Sequence, residues 1–242
     1  MMIKSFYKFI FLLVSFSLSF SLFGNDTFGP KEEYKLVISE IIQILDQNHF
    51  KKDIKISNQK VIDNFLNTLD KEKIIFTSNE YNSYSLNFRS IFDLKEIFEI
   101  YDDFSKRSIE LINYQLKVVN NLENLDELNT TDFIDKTRED EIRFDSLVDI
   151  KNYHSLLIKN ELINIILSNE EFVSSKSKLL KRLKNRLKSL KRVKSDDIFS
   201  LFANAITSLY DPHTNYLSPK SQEDFEINMS LSLEGIGAIL ST

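Results

Sequence analysis

Residues 94–119 read LKEIFEIYDDFSKRSIELINYQLKVV. Leu94, Ile97, Tyr101, Phe104, Ser108, Ile112, Leu116 and Val119 recur at three- and four-residue spacing, so they fall on one face of a helix. The pattern predicts a single helix of roughly 28 residues, about 40 Å long at 1.5 Å per residue. A helix of that length needs helical neighbours to cover its apolar face, so the rest of the chain is read for them.

Working back from it, Tyr34, Val37, Ile38, Ile41, Ile42 and Leu45 form one apolar face. Ser57 is placed to cap a second helix carrying Val61, Ile62, Phe65, Leu66 and Leu69. A turn at Asp70–Lys73 and the apolar run Ile74–Phe76 follow. Thr77 and Glu80 then have capping-box spacing for a short helix through Tyr81 and Tyr84. Working forward, Asn120–Thr131 reads as a loop, 132–150 is acidic and weakly patterned, and a helix is expected from about Tyr153 to Leu167. In residues 176–194, Leu179, Leu183, Leu187, Leu190 and Val193 make a narrow stripe among many Lys and Arg. A stripe this narrow suits a packed helix with a solvated basic face better than a helix lying on an anionic membrane or acidic partner. Ser195 is read as the cap of a helix carrying Ile198, Leu201, Phe202, Ala205 and Leu209, which ends before Asp211-Pro212. Ser218-Pro219 restarts a helix with serine at N-cap and proline at N1. Asn228–Leu240 alternates apolar and small polar residues and is the one strand-like segment.

Composition agrees. With 4 Gly and 3 Pro in 242 residues, turns are too few for a sheet-rich fold. There is no cysteine, which excludes disulfides, thiolate metal sites and a cysteine nucleophile. His49, His154 and His213 lie far apart in sequence, so no metal and no cofactor are expected. Lys4 and Lys8 precede an uncharged run, Phe9–Gly24, with polar sequence from Asn25. That is the pattern of a signal peptide over residues 1–24; the rival reading, a retained membrane anchor, needs a longer span of about 20 residues. Cleavage after Gly24 would leave 29 basic against 36 acidic residues, a net charge of −7, which gives no support for nucleic-acid binding.

Residues 209–240, LYDPHTNYLSPKSQEDFEINMSLSLEGIGAIL, resemble the approach to the PDZ domain in tail-specific proteases, the long bacterial C-terminal processing peptidases. NHFKK, FLNTLDKEKIIFTSNE, IFEIYDDFSKR and SDDIFSLFANAITSLYDPHTNYLSP resemble that family's helical N-terminal domain, in the same order. The resemblance implies a mainly α fold: a helical domain over 25–227, followed from 228 to 242 by the first strand of a truncated PDZ domain. It further implies an exported, periplasmic serine endopeptidase with a serine nucleophile and lysine base, and peripheral contact with the inner membrane at most. Its protein substrates would carry apolar C-termini, and an adaptor lipoprotein docks on the helical domain in some members. Gly235, Ile236, Gly237 and Ala238 match the loop that would present backbone N–H groups to a substrate carboxylate. No position matches the catalytic motifs, and the chain ends at Ser241-Thr242 inside the expected strand, so it is expected to be an incomplete protease, inactive alone. Asp211 and His213 belong to turn chemistry rather than catalysis. The alternative reading is a non-enzymatic helical module that binds an envelope partner.

Overall fold

A computed structural model describes residues 28–50, 54–128, 133–134, 137–168 and 171–230. Among them are eight α-helices and no strand: α1 (Tyr34–Asn48), α2 (Asn58–Leu69), α3 (Ser78–Asn87), α4 (Leu94–Asn121), α5 (Leu147–Ile166), α6 (Phe172–Leu190), α7 (Ser195–Thr207) and α8 (Pro219–Ser230). A single 3₁₀ turn lies at Leu125–Leu128.

Most starts are set by side-chain caps. Ser57 Oγ accepts the Lys60 N–H at 3.2 Å. Thr77 and Glu80 close the expected capping box, with the Thr77 N–H donating to Glu80 at 2.9 Å. Asp93 caps α4, which runs 28 residues. Four boundaries differ from the sequence reading. Helix α5 begins at Leu147, six residues early, because Ser146 Oγ accepts the Asp149 N–H at 3.1 Å. Helix α7 has Lys194, not Ser195, at its N-cap; Asp197 reaches back to the Lys194 N–H at 2.9 Å, and Ser195 Oγ instead accepts the Gly29 N–H at 3.2 Å. The regular helix α7 stops at Thr207 and turns through Tyr210 before Asp211. Asn228–Ser230, read as the start of a strand, continue α8; the remaining 231–242 lie outside the described residues.

Two hydrophobic cores share α4 as their spine. The first joins Tyr34 and Ile38 of α1, Val61, Ile62, Phe65 and Leu66 of α2, Leu94 to Tyr101 of α4, and Ile198, Phe199 and Phe202 of α7. Phe202 meets Phe65 edge-on at 5.6 Å, and Tyr34 stacks on Phe199 at 4.1 Å. The second joins Val119 and Leu122 to Ile158, Leu162 and Ile165 of α5 and to Leu179 and Leu183 of α6.

Side-chain pairs fix helix direction around the second core. Glu110 pairs with Lys151 at 2.7 Å and Gln115 with His154 at 3.0 Å, so α4 and α5 advance together. Lys176, near the start of α6, donates to the carbonyls of Asn120 and Leu122 at the end of α4, so α6 runs back against both. A parallel pair cannot be joined by a tight turn, and residues 122–146 make the return.

Asp70 anchors that return. Its carboxylate, 1% exposed, accepts the N–H groups of Ile74 at 2.8 Å, Ile75 at 3.2 Å and Phe76 at 3.0 Å. It also pairs with the buried guanidinium of Arg143, which lies over the Tyr81 ring. Lys73 takes a left-handed φ of 57° inside this turn, which costs on the order of 1 kcal/mol and is held by the same carboxylate. The returning strip is then fastened alongside: Arg138 N–H to Glu72 at 2.6 Å, Lys73 to the Glu141 carbonyl at 2.8 Å, and Ser78 N–H to the Phe144 carbonyl at 2.9 Å. His154 completes the joint. Its Nε2–H donates to the Ile74 carbonyl at 3.0 Å, which leaves Nδ1 to accept from Gln115.

Replacing Asp70 with Ala strands a buried guanidinium and three amides, so urea titration should show a loss of about 3–5 kcal/mol. Adding Arg143→Met to that variant should recover part of it; strictly additive losses would show that the pair is not coupled. Burial pushes the His154 imidazole below its ordinary pKa. The unfolded chain then binds the proton first, so the histidine's contribution is complete above about pH 6.5 and declines as pH falls below it. Wild-type stability should therefore drop between pH 7.5 and 5.5 relative to His154→Gln, measured by denaturation at each pH.

Candidate functional site

Between the two cores the bundle does not close. Residues 108–115 of α4, 154–164 of α5 and 182–190 of α6, with Ile74, Ile75 and Val193, surround a cavity of about 1000 Å³. Its walls are largely aliphatic. Its floor is polar: Ser108, Gln115 and His154 are all at least nine-tenths buried. Gln115 and His154 satisfy each other, whereas the Ser108 hydroxyl has no hydrogen-bond partner. At the mouth, one carboxylate serves two guanidiniums: Glu161 lies 3.1 Å from Arg186 and 3.7 Å from Arg182. Ser108 was placed by sequence on the apolar face of α4, and Gln115 lies seven residues on; polar residues at core positions were the available signal. Nothing in the sequence links Glu161 with Arg182 and Arg186.

A second pocket, about 310 Å³, lies between α3 and α4. Its charges are already paired, Arg107 with Glu80 at 2.7 Å and Tyr84 with Asp103 at 2.8 Å. Burial pushes the Glu80 carboxyl up, but hydrogen bonds from the Thr77 amide and Arg107 outweigh it and hold it below its ordinary range.

The sequence-identified motif DPHTNYL forms a clasp. Asp211 accepts the His213 N–H at 2.8 Å, an Asx turn, and His213 is exposed. Thr214 Oγ1 lies 3.3 Å from His49 Nε2 at the end of α1. Tyr210, fully buried, donates to Asp46 at 2.6 Å. Asn204 of α7 receives the Tyr216 N–H at 2.7 Å and donates to its carbonyl at 3.2 Å, as a paired strand would. His49–Thr214 is a hydroxyl–imidazole contact that sequence reasoning missed. The imidazole is packed beside Phe50 and Tyr210, so the contact fastens the loop. The carboxylate loop expected at Gly235, Ile236, Gly237 and Ala238 lies outside the described residues, as does the 1–24 leader. Among the described residues there is no cluster of metal-ligating side chains, and no helix is long and apolar enough to cross a membrane. The basic stripe buries Leu179 and Leu183 and leaves Lys181, Lys184 and Lys188 exposed.

Residues 41–220 match the family described as the tail specific protease N-terminal domain. The chain is also 30% identical over 221 residues to a tail-specific protease of Haemophilus influenzae, an alignment covering 87% of this chain and 31% of that protein. The chain thus spans about a third of the length of that relative. The matched region runs from α1 through the clasp and includes the whole α4–α5–α6 bundle. By this match and its ordered helices, the chain belongs to the tail-specific protease family, whose N-terminal domain it carries.

Proposed function

We propose that this chain serves as the non-catalytic helical part of an exported serine endopeptidase that processes envelope proteins from their C-terminal tails. The observation that carries this reading is the clasp. Tyr210, Thr214 and Tyr216 tie the DPHTNYL segment to α1 and α7, so the direction in which the chain leaves the helical domain is fixed. A tail-sensing PDZ domain placed after that exit would be held at a defined angle to the helices, which then form part of the wall around the substrate. Residues 1–24 direct export to the periplasm. The helical surface is available to an envelope partner such as an adaptor lipoprotein. Catalysis, by a serine and a lysine, belongs to a segment outside this chain.

Incubated with a reporter ending in apolar residues, this chain should give no cleavage above background. The protein carrying a downstream protease domain should cleave the reporter, and should cleave poorly when its last residues are made acidic. Cleavage by this chain, blocked by a serine-directed inhibitor, would overturn the assignment. In the longer protein, Asn204→Ala should raise amide exchange over 211–218 and lower tail-dependent cleavage several-fold with the helices intact. Unchanged cleavage would remove the clasp from function. N-terminal sequencing of the exported product should give a start near Asn25.

A further inference from the structure

The cavity between α4, α5 and α6 is not used by any of these roles. We infer that it is a binding site for an amphiphile with one aliphatic chain and an anionic head group. The chemistry of the lining selects this class. Ile74, Ile75, Leu111, Ile112, Leu157 and Leu190 present aliphatic wall, and the lining contains no Phe or Tyr although the chain has 20 Phe and 9 Tyr; its one aromatic ring is the His154 imidazole, bonded at both nitrogens within the protein. Without a Phe or Tyr ring the lining lacks a broad stacking platform for a nucleobase or a flat cofactor. About 1000 Å³ is at the upper end of the range for small-molecule pockets, enough for a long chain.

Polar groups lie at two depths. At the mouth, Arg182 and Arg186 share the single carboxylate of Glu161, which leaves one positive charge uncompensated. Both guanidiniums are about half exposed, at 56% and 50%, and a carboxylate or phosphate can complete the second pair. Inside, Ser108 is 8% exposed and its buried hydroxyl has no partner in the protein. Burying a hydroxyl unpaired is costly, and rotation of the Ser108 side chain toward the cavity would let an ester or hydroxyl oxygen on the ligand satisfy it. His154 offers no competing charge, since it is neutral and both nitrogens are engaged. A free fatty acid and an anionic lysophospholipid share this chemistry; the second also carries the oxygen that suits Ser108.

Palmitate and 16-carbon lysophosphatidylglycerol, each below its micelle concentration, should displace a dansyl-labelled undecanoate from the intact chain. Leu157→Trp should weaken displacement by narrowing the cavity between its aliphatic walls. Arg182→Ser with Arg186→Ser, both at the surface, should weaken it about ten-fold without changing the circular dichroism, and added salt should reproduce part of that loss. Ser108→Ala should weaken lysophosphatidylglycerol several-fold and leave palmitate unchanged if the ester oxygen is held there; equal loss for both would locate the head group at Ser108 and overturn the depth assignment. Failure of both lipids to bind, displacement by dodecylamine as strong as by palmitate, binding untouched by the arginine pair, or displacement only by an apolar peptide would each overturn the inference.

Discussion

The fold depends on one buried carboxylate. Asp70 sits just past α2 and holds three successive amides together with the guanidinium of Arg143, 73 residues away. An ion pair in so dry a place yields little net stability when set against a hydrophobic pair of similar size. Its value lies in specificity. Only a chain path that brings 138–144 back beside 70–78 leaves neither the charge nor the amides unmatched, so the pair selects that path over other packings of the same amphipathic helices.

The geometry downstream follows from it. Because the return starts α5 beside the 70–78 turn, α5 runs parallel to α4, and α6 must pass back along both. Helix α4 then serves the first core with its N-terminal third and the second with its C-terminal end. Of its middle, Ile112 packs on the second core, while Ser108, Leu111 and Gln115 join neither cluster and line the cavity. Polar residues are tolerated there beside the cavity: Gln115 pairs with His154 of α5, and Ser108 is one of the lining residues. The open volume is therefore a product of the same constraint that fixes the topology, rather than a packing defect in an otherwise continuous core. A closed three-helix core at this level would require an apolar residue at both positions.

What was legible in the sequence was local. The 3.6-residue period of α4, the Ser57 cap, the Thr77–Glu80 box and the Ser218-Pro219 start each depend on residues within a few positions of one another. The family was legible in ordered short motifs. What was not legible depends on contacts across the chain. The early start of α5 looked patternless because 138–146 is held by Glu72, Lys73 and Asp70 rather than by its own periodicity. Ser195 looked like a cap because serine commonly is one; its hydroxyl is instead spent on Gly29, 166 residues away, and Asp197 does the capping. The cavity left a trace in the two polar residues on α4, but the carboxylate shared at its mouth requires knowing that α5 and α6 are neighbours.

The DPHTNYL motif shows how recognition and physical role can separate. It is the most identifying segment of the chain, and its histidine and aspartate invite a catalytic reading. The distances assign it otherwise: Asp211 is spent on a backbone turn, Thr214 on His49, and Tyr216 on Asn204. Each of these bonds joins the segment to α1 or α7 or closes it on itself, and the buried Tyr210 just before it is bonded to Asp46 of α1. The side chains of Asp211, Thr214 and Asn204 are used to hold the shape of the loop. What it controls is orientation. Helix α8, which follows directly, buries none of its described side chains against the rest of the molecule. The clasp sets the direction of this helix at its root.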